Sequence, residues 1–269
     1  MPYSFAAERA DIMRLDKFLF EKGYFQSRQA AKDHIDAELV SVNSKTAVKA
    51  SLDVDETADI KVIGRLHEFV SRGGLKLKAA LELFEVDVTN MTAIDIGAST
   101  GGFTDCLLKR GALTVYAVDS GRDQLSPTLL NDERVHSYES VNARYLEAES
   151  FPTKFDIAVM DVSFISQTLL YKSVSNVLKE NGIFISLIKP QFEAGKKYIG
   201  KGGIVVKDRA VYESVIKNVC FEAARYGLSC QRIIESPILG KDGNKEFLAL
   251  FVNTGSLDAT VPEISGSKG

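Results

Sequence analysis

Apolar positions along the chain change rhythm near residue 64. In RLDKFLFEKG, Leu15, Phe18, Leu19 and Phe20 recur at helical spacing and Gly23 closes the turn. Ser27 then offers an N-cap to the helix formers of SRQAAKDHIDA. Val40 and Val42 alternate with polar residues ahead of the turn pair Asn43–Ser44, and DIKVIG reads as a further short strand. Two short helices followed by short strands predict a small α+β unit over residues 1–64. GRLHEFVSRGG, with glycine at both ends, reads as a hinge, and residues 65–75 are taken as the interdomain linker.

Beyond the hinge, buried apolar runs alternate with helical patterns. The runs are TAIDIG, TVYAVD, FDIAVMDVSF and IFISLIKP, with RVHSYES as a more polar strand. The helices are FTDCLLKRG, LLYKSVSNVLKENG (169–182, capped by Gly182) and DRAVYESVIKNVCFEAARYG. Strand–helix alternation predicts a mostly parallel sheet covered on both faces. LSCQRIIE and KEFLALFVN are joined by the short PILGKDGNK, which predicts an antiparallel pair. This second unit is expected over residues 76–255. The aperiodic end, residues 256–269, is expected to be a flexible tail.

Composition narrows the class. The chain has 269 residues, 45% of them hydrophobic, a net charge of −3, three cysteines, three histidines and no tryptophan. The longest strongly apolar stretch, GIFISLI, is far short of the ~20 residues that span a bilayer, and no apolar leader opens the sequence. Cys106, Cys220 and Cys230 form no CxxC and the histidines lie apart, so reduced thiols, a cytoplasmic setting and no metal site are expected. Basic residues nevertheless concentrate in three windows, Arg14–Lys32, Lys61–Lys78 and Lys179–Arg209. Ten basic and eleven acidic residues nearly cancel over residues 1–66, so a nucleic-acid face there must be one-sided.

The candidate chemistry centres on DIGASTGGF. Strand, glycine turn, then helix lets the backbone approach a nucleotide-like ligand outside the carboxyl ends of the strands. The G-x-G-x-x-G fingerprint is broken by Ser99, and no phosphate loop follows. Asp119 ends the next strand, where a carboxylate can take both hydroxyls of a ribose.

DIGASTGGFTDCLL, VYAVD, FDIAVMDVSFIS and LIKPQFE together resemble the class I S-adenosylmethionine-dependent methyltransferases of the FtsJ-type ribose 2′-O group. With RLDKFLFEKGYFQSRQAAKDHI ahead and FVSRGGLKLKAAL between, the layout resembles the TlyA family, rRNA 2′-O-methyltransferases also labelled hemolysin A, whose first segment is an S4-type RNA-binding module. The resemblance covers about residues 12–253. It implies an α/β fold: a seven-stranded Rossmann-like sheet, mostly parallel with one antiparallel strand, behind a small N-terminal RNA-binding domain.

The resemblance also implies site residues. A Lys-Asp-Lys-Glu catalytic tetrad falls on Lys76, Asp161, Lys189 and Glu246. Contacts to S-adenosylmethionine fall on Asp95, Gly97, Ser99, Gly101, Gly102 and Phe103, then Asp119 and Asn142. RNA contacts fall on Arg14, Lys17, Ser27, Arg28, Lys32 and Arg72. A lysine beside a ribose hydroxyl can weaken its proton, and carboxylates can hold lysine and hydroxyl in line. The implied partners are ribosomal RNA or ribosomal subunits, with no membrane and no metal. VDSGRDQL departs from the family in its charged Arg122–Asp123 pair, which leaves the adenine wall unassigned. The segment Glu193–Lys207 reads as a mobile Gly/Lys loop beside Lys189, either one that closes over RNA or simply a disordered surface loop. The alternatives are a non-catalytic RNA-binding assembly factor and, with less support, a membrane-active hemolysin. Neither an insertable helix nor alternating hairpins favour the latter.

Overall fold

A computed structural model of the chain describes residues 12–25, 27–63, 68–200, 203, 205, 208–240, 243–257 and 260–265. The chain divides into two compact units, Met1–Glu68 and Phe69–Gly269.

The first unit runs β1 (Met13–Arg14), α1 (Leu15–Glu21), α2 (Arg28–Asp36), β2 (Val40–Val42), β3 (Lys45–Thr46), β4 (Asp53–Val54) and β5 (Ile60–Val62). β1 pairs with β4, and β2 lies between β3 and β5, all antiparallel. Helical spacing puts Leu15, Phe18 and Leu19 on one face of α1, where they bury against Ala31 and Ile35 of α2 and Val40 of β2. Ser27 caps α2, its hydroxyl accepting from Ala30 N–H at 3.1 Å.

The second unit contains α3 (Gly73–Phe84), β6 (Thr92–Ile96), α4 (Gly102–Lys109), β7 (Thr114–Val118), α5 (Pro127–Leu130), β8 (Val135–Tyr138) and β9 (Phe155–Met160). It continues through α6 (Tyr171–Val177), β10 (Leu178–Ile188), α7 (Pro190–Glu193), α8 (Arg209–Ala224), β11 (Leu228–Glu235), β12 (Phe247–Asn253) and β13 (Ile264–Ser265). The sheet order is β13-β11-β12-β10-β9-β6-β7-β8, in which β12 alone runs against its neighbours. Seven of these strands, all but the two-residue β13, make up the sheet expected from the sequence. Residues alternating along them feed two cores: Ile94, Ala158 and Met160 pack toward α6 and α8, whereas Ala93, Ile157 and Val159 pack toward α3 and α4.

Three sequence expectations change. The helix expected over 169–182 ends at Val177, and Leu178 already pairs with Phe155 in the sheet. Asn253 is the reason: its amide donates to the carbonyls of Ser175 and Lys179 at 3.3 and 3.1 Å, so these groups find a partner outside the helix. The linker is shorter than residues 65–75. Phe69 is buried, Val70 N–H donates to Asp105 of α4 at 2.8 Å, and Gly73–Gly74 open α3. A side chain at Gly74 would collide with the Phe69 ring, so only glycine lets this turn pack. Finally, the tail is not wholly loose, because Ile264–Ser265 add to the sheet beside β11 as an eighth, two-residue strand.

Candidate active site

Four adjacent strands, β7, β6, β9 and β10, end on one edge with Asp119, Gly97, Asp161 and Lys189 as the next residues. The antiparallel β12 starts at that edge, since Phe247 pairs with Ile188, and this delivers Glu246 to the side where parallel strands finish. α3 brings Lys76 to meet it. Lys76 Nζ donates to Glu246 Oε2 at 2.5 Å, with side chains only 11% and 2% exposed. Lys189 Nζ forms an ion pair with Asp161 Oδ1 at 2.5 Å and donates to Ser163 Oγ at 2.7 Å. The tetrad is thus two Lys–carboxylate pairs.

Two cavities meet at this edge. One, of about 320 Å³, is lined by Lys76, Asp161, Lys189, Phe103 and Gly102, with exposed Arg72 at its rim. The other, of about 390 Å³, is lined by Asp119, Asn142 and an apolar set of Val118, Val141, Ile165 and Leu170. Gly97, Ser99, Asp161 and Ser163 line both. The apolar set forms one wall of this cavity, and neither Arg122 nor Asp123 lines it. Arg122 itself turns to Ser140, donating to its hydroxyl at 2.7 Å.

The glycine turn is shaped by close approach. Gly97 has φ +83°, and a Cβ there would lie 2.7 Å from the Asp161 carbonyl oxygen. Ser99 takes φ +46°, the left-handed conformation that glycine supplies in the usual fingerprint. Its N–H donates to Asp119 Oδ2 at 2.8 Å, while Gly121 N–H donates to Oδ1 at 2.7 Å. Each carboxylate oxygen keeps a lone pair for a ribose hydroxyl.

Two residues assigned to cofactor contact do not line either cavity. Asp95 is fully buried and accepts from Thr104 N–H and Oγ–H at 3.0 and 2.7 Å, holding the start of α4 under the turn. Burial, opposed by the Thr104 bonds and reinforced by Asp161 and Asp119, pushes its carboxyl up to about 7. Gly101 faces Leu125 and Leu129, where a Cβ would collide with both. Both positions read as ligand contacts from the motif, yet they shape the turn from behind.

In the first unit, Arg14 and Arg28 both grip the buried Asp16, at 3.0 and 2.6 Å. Lys17 sits 3.6 Å from Glu21, and Lys32 is exposed. Ser27 is occupied as the α2 cap.

The segment after Lys189 is tied down at points the sequence did not reveal. Glu193 accepts from Ser166 Oγ–H and Gln167 N–H at 2.6 and 2.9 Å, and burial raises its carboxyl pKa despite those bonds. Val205 is buried, bridges to Ile199, and donates its N–H to Asn244 Oδ1 at 3.0 Å. Other residues of this loop, Lys207 among them, lie outside the described set.

Sequence reasoning missed Ser163, and also Phe164, a residue 93% exposed with backbone φ +65°. Its only ring neighbour among the described residues is Phe192, at 5.4 Å. An aromatic in DVSF carries no signal of exposure until the left-handed turn is seen.

An FtsJ-like methyltransferase family profile matches residues 69–252, and an S4 domain profile matches residues 13–60. Hemolysin A of Brachyspira hyodysenteriae is 41% identical over 89% of this chain and 100% of its own length. The 16S/23S rRNA (cytidine-2′-O)-methyltransferase TlyA of Mycobacterium tuberculosis is 38% identical over 87% of each chain. A solved Streptococcus thermophilus structure, titled as a hemolysin, superposes with a TM-score of 0.74 at 41% identity, covering 92% of this chain and 90% of that one. With an S4 domain ahead of an FtsJ-like domain whose sheet edge carries the paired lysines and carboxylates, the chain belongs to the TlyA family.

Proposed function

We propose that the protein is an S-adenosylmethionine-dependent methyltransferase that modifies a ribose 2′-hydroxyl in ribosomal RNA. The observation that carries this reading is the meeting of the two cavities at the Asp161–Lys189 pair. The larger cavity suits the cofactor: Asp119 takes the ribose, Asn142 and the apolar wall take the adenine, and Gly97 and Ser99 border the rest. When bound, S-adenosylmethionine supplies an electrophilic methyl group on a sulfonium.

The chain's residues do the rest by position and charge. Lys189 faces the smaller cavity, where its ammonium stabilises negative charge growing on the 2′-oxygen. The hydroxyl proton passes to the Asp161 carboxylate, because the Lys189 ammonium has no lone pair to take it. Lys76, held by Glu246, lines the same cavity and adds positive potential there. Arg72 at the rim takes a phosphate, and the exposed Phe164 ring offers a stacking face to an RNA base. No group of histidine, cysteine and acidic residues that could hold a metal occurs among the described residues.

Arg14, Lys17, Arg28 and Lys32 of the S4 unit grip the RNA backbone. All three cysteines are buried free thiols and no described helix is long and apolar enough to cross a membrane, in keeping with work on ribosomal subunits in the cytoplasm. The test is nucleoside analysis of ribosomal subunits incubated with methyl-labelled S-adenosylmethionine. Label in a 2′-O-methyl nucleoside supports the reading; label only on bases overturns it.

A further inference from the structure

Ser163 lies two residues past Asp161, is solvent-exposed, and lines both cavities. Its hydroxyl accepts from Lys189 Nζ at 2.7 Å, while Asp161 Oδ1 lies 2.5 Å from the same nitrogen. An ammonium has three protons in a fixed tetrahedral array on a flexible stem. Asp161 Oδ1 accepts no hydrogen bond at that distance, so charge holds this pair and the Ser163 hydroxyl alone gives one of the three protons its direction. The Lys189 side chain itself is only 12% exposed.

We infer that Ser163 is a positioning residue for methyl transfer: its hydrogen bond fixes the rotation of the Lys189 ammonium, which charge holds beside Asp161, so that a remaining proton is aimed at the substrate oxygen where the two cavities join. This rests on the ribose-hydroxyl reading of the site. Asp161 supplies charge without a hydrogen bond, and an ammonium held by charge alone still rotates about its carbon–nitrogen bond. Ser163 supplies the direction without adding charge, so it fixes orientation and leaves the electrostatics of the pair unchanged. Because Ser163 is exposed, replacing it leaves no buried gap, and the fold should tolerate the change.

The test compares the full-length wild type with Ser163→Ala and Ser163→Thr. S-adenosylmethionine affinity is read by calorimetry and single-turnover methylation is measured on ribosomal subunits. The Lys189 ammonium is followed by proton–nitrogen NMR and assigned by its loss in Lys189→Ala. Ser163→Ala should slow transfer by about 10- to 100-fold, the weight of one hydrogen bond to a charged group. S-adenosylmethionine affinity should stay within about two-fold, and the ammonium signal should broaden through faster exchange. Ser163→Thr, which keeps the hydroxyl, should restore most of the rate and the signal.

The proposal is overturned if Ser163→Ala transfers at the wild-type rate, which would mean that the substrate hydroxyl simply displaces the serine. It is also overturned if the rate loss matches a loss of S-adenosylmethionine affinity, or if threonine behaves as alanine does. A wild type that methylates no ribose would remove the functional reading. An ammonium signal unchanged in Ser163→Ala would remove the positioning role by itself.

Discussion

Lys76 and Glu246 are 170 residues apart in sequence and 2.5 Å apart in the fold. The pair exists because β12 alone runs antiparallel, carrying Glu246 to the edge where α3 passes. Gly240 closes over it, since a Cβ there would strike the Glu246 carboxylate. Two nearly buried opposite charges are tolerated only while both are present.

Glu246→Ala should therefore cost stability as well as activity, by about 3 kcal/mol, because the Lys76 ammonium loses its partner in a site that water barely reaches. Glu246→Gln keeps an acceptor and should cost less than half as much. Urea denaturation of the three proteins checks the ordering, and equal midpoints would contradict it.

Asp95 gives the fold a pH dependence of defined sign. Its carboxyl titrates near 7 when folded, against 3.8 for the ordinary value, with burial as the leading cause. Between those values the folded state holds a proton that the unfolded state has released. The group's contribution thus favours the fold at low pH and is lost as pH rises from about 4 to about 7. Asp95→Asn should flatten the fall in melting temperature between pH 5 and pH 7.5. An undiminished fall in the variant would assign the slope to other groups.

Gly97 and Gly101 separate cofactor binding from folding. Gly97→Ala puts a methyl group 2.7 Å from the Asp161 carbonyl at φ +83° and must spread the turn from β9. S-adenosylmethionine affinity should fall by more than about 10-fold, because the strained turn carries Ser99 and Asp161 out of place. Gly101→Ala instead collides with Leu125 and Leu129, so its main effect should be on thermal stability. Calorimetric titration and thermal melts on both variants would expose any reversal.

Asp16 yields a prediction against simple charge counting. Its carboxyl is pushed up by burial but pulled below the usual range overall by hydrogen bonds from Arg14 and Arg28. Asp16→Ala makes the S4 unit more positive, which on charge alone strengthens RNA binding. The structure predicts several-fold weaker binding, since both arginines lose the contact that aims them. Fluorescence anisotropy with an rRNA fragment at two salt concentrations distinguishes these outcomes.

Much of this was legible in the sequence because apolar runs mark buried strands whichever partners they find. The four strands ending in Gly97, Asp119, Asp161 and Lys189 follow from their apolar patterns, and motif order identified the family. What the sequence hid depends on tertiary neighbours. The end of α6 is set by Asn253, 76 residues beyond Val177. Phe69 and Asp105 turn part of an apparent linker into core. Asp95 and Gly101 occupy motif positions but face inward, because a motif records which residues build a turn and not which of them touch its ligand. Ser163 and Phe164 carry no periodic or compositional signal, and only the geometry after β9 reveals them.

The central claim is that methyl transfer occurs where the two cavities meet, at Lys189. The most direct measurement pairs S-adenosylmethionine binding with single-turnover labelling of unmethylated ribosomal subunits, for wild type and Lys189→Ala, followed by alkaline hydrolysis of the RNA. The account predicts label at a bond that resists alkali with the wild type, and loss of that label by about 100-fold or more in the variant while cofactor binding persists. Alkali-resistant label formed equally well by Lys189→Ala would contradict it.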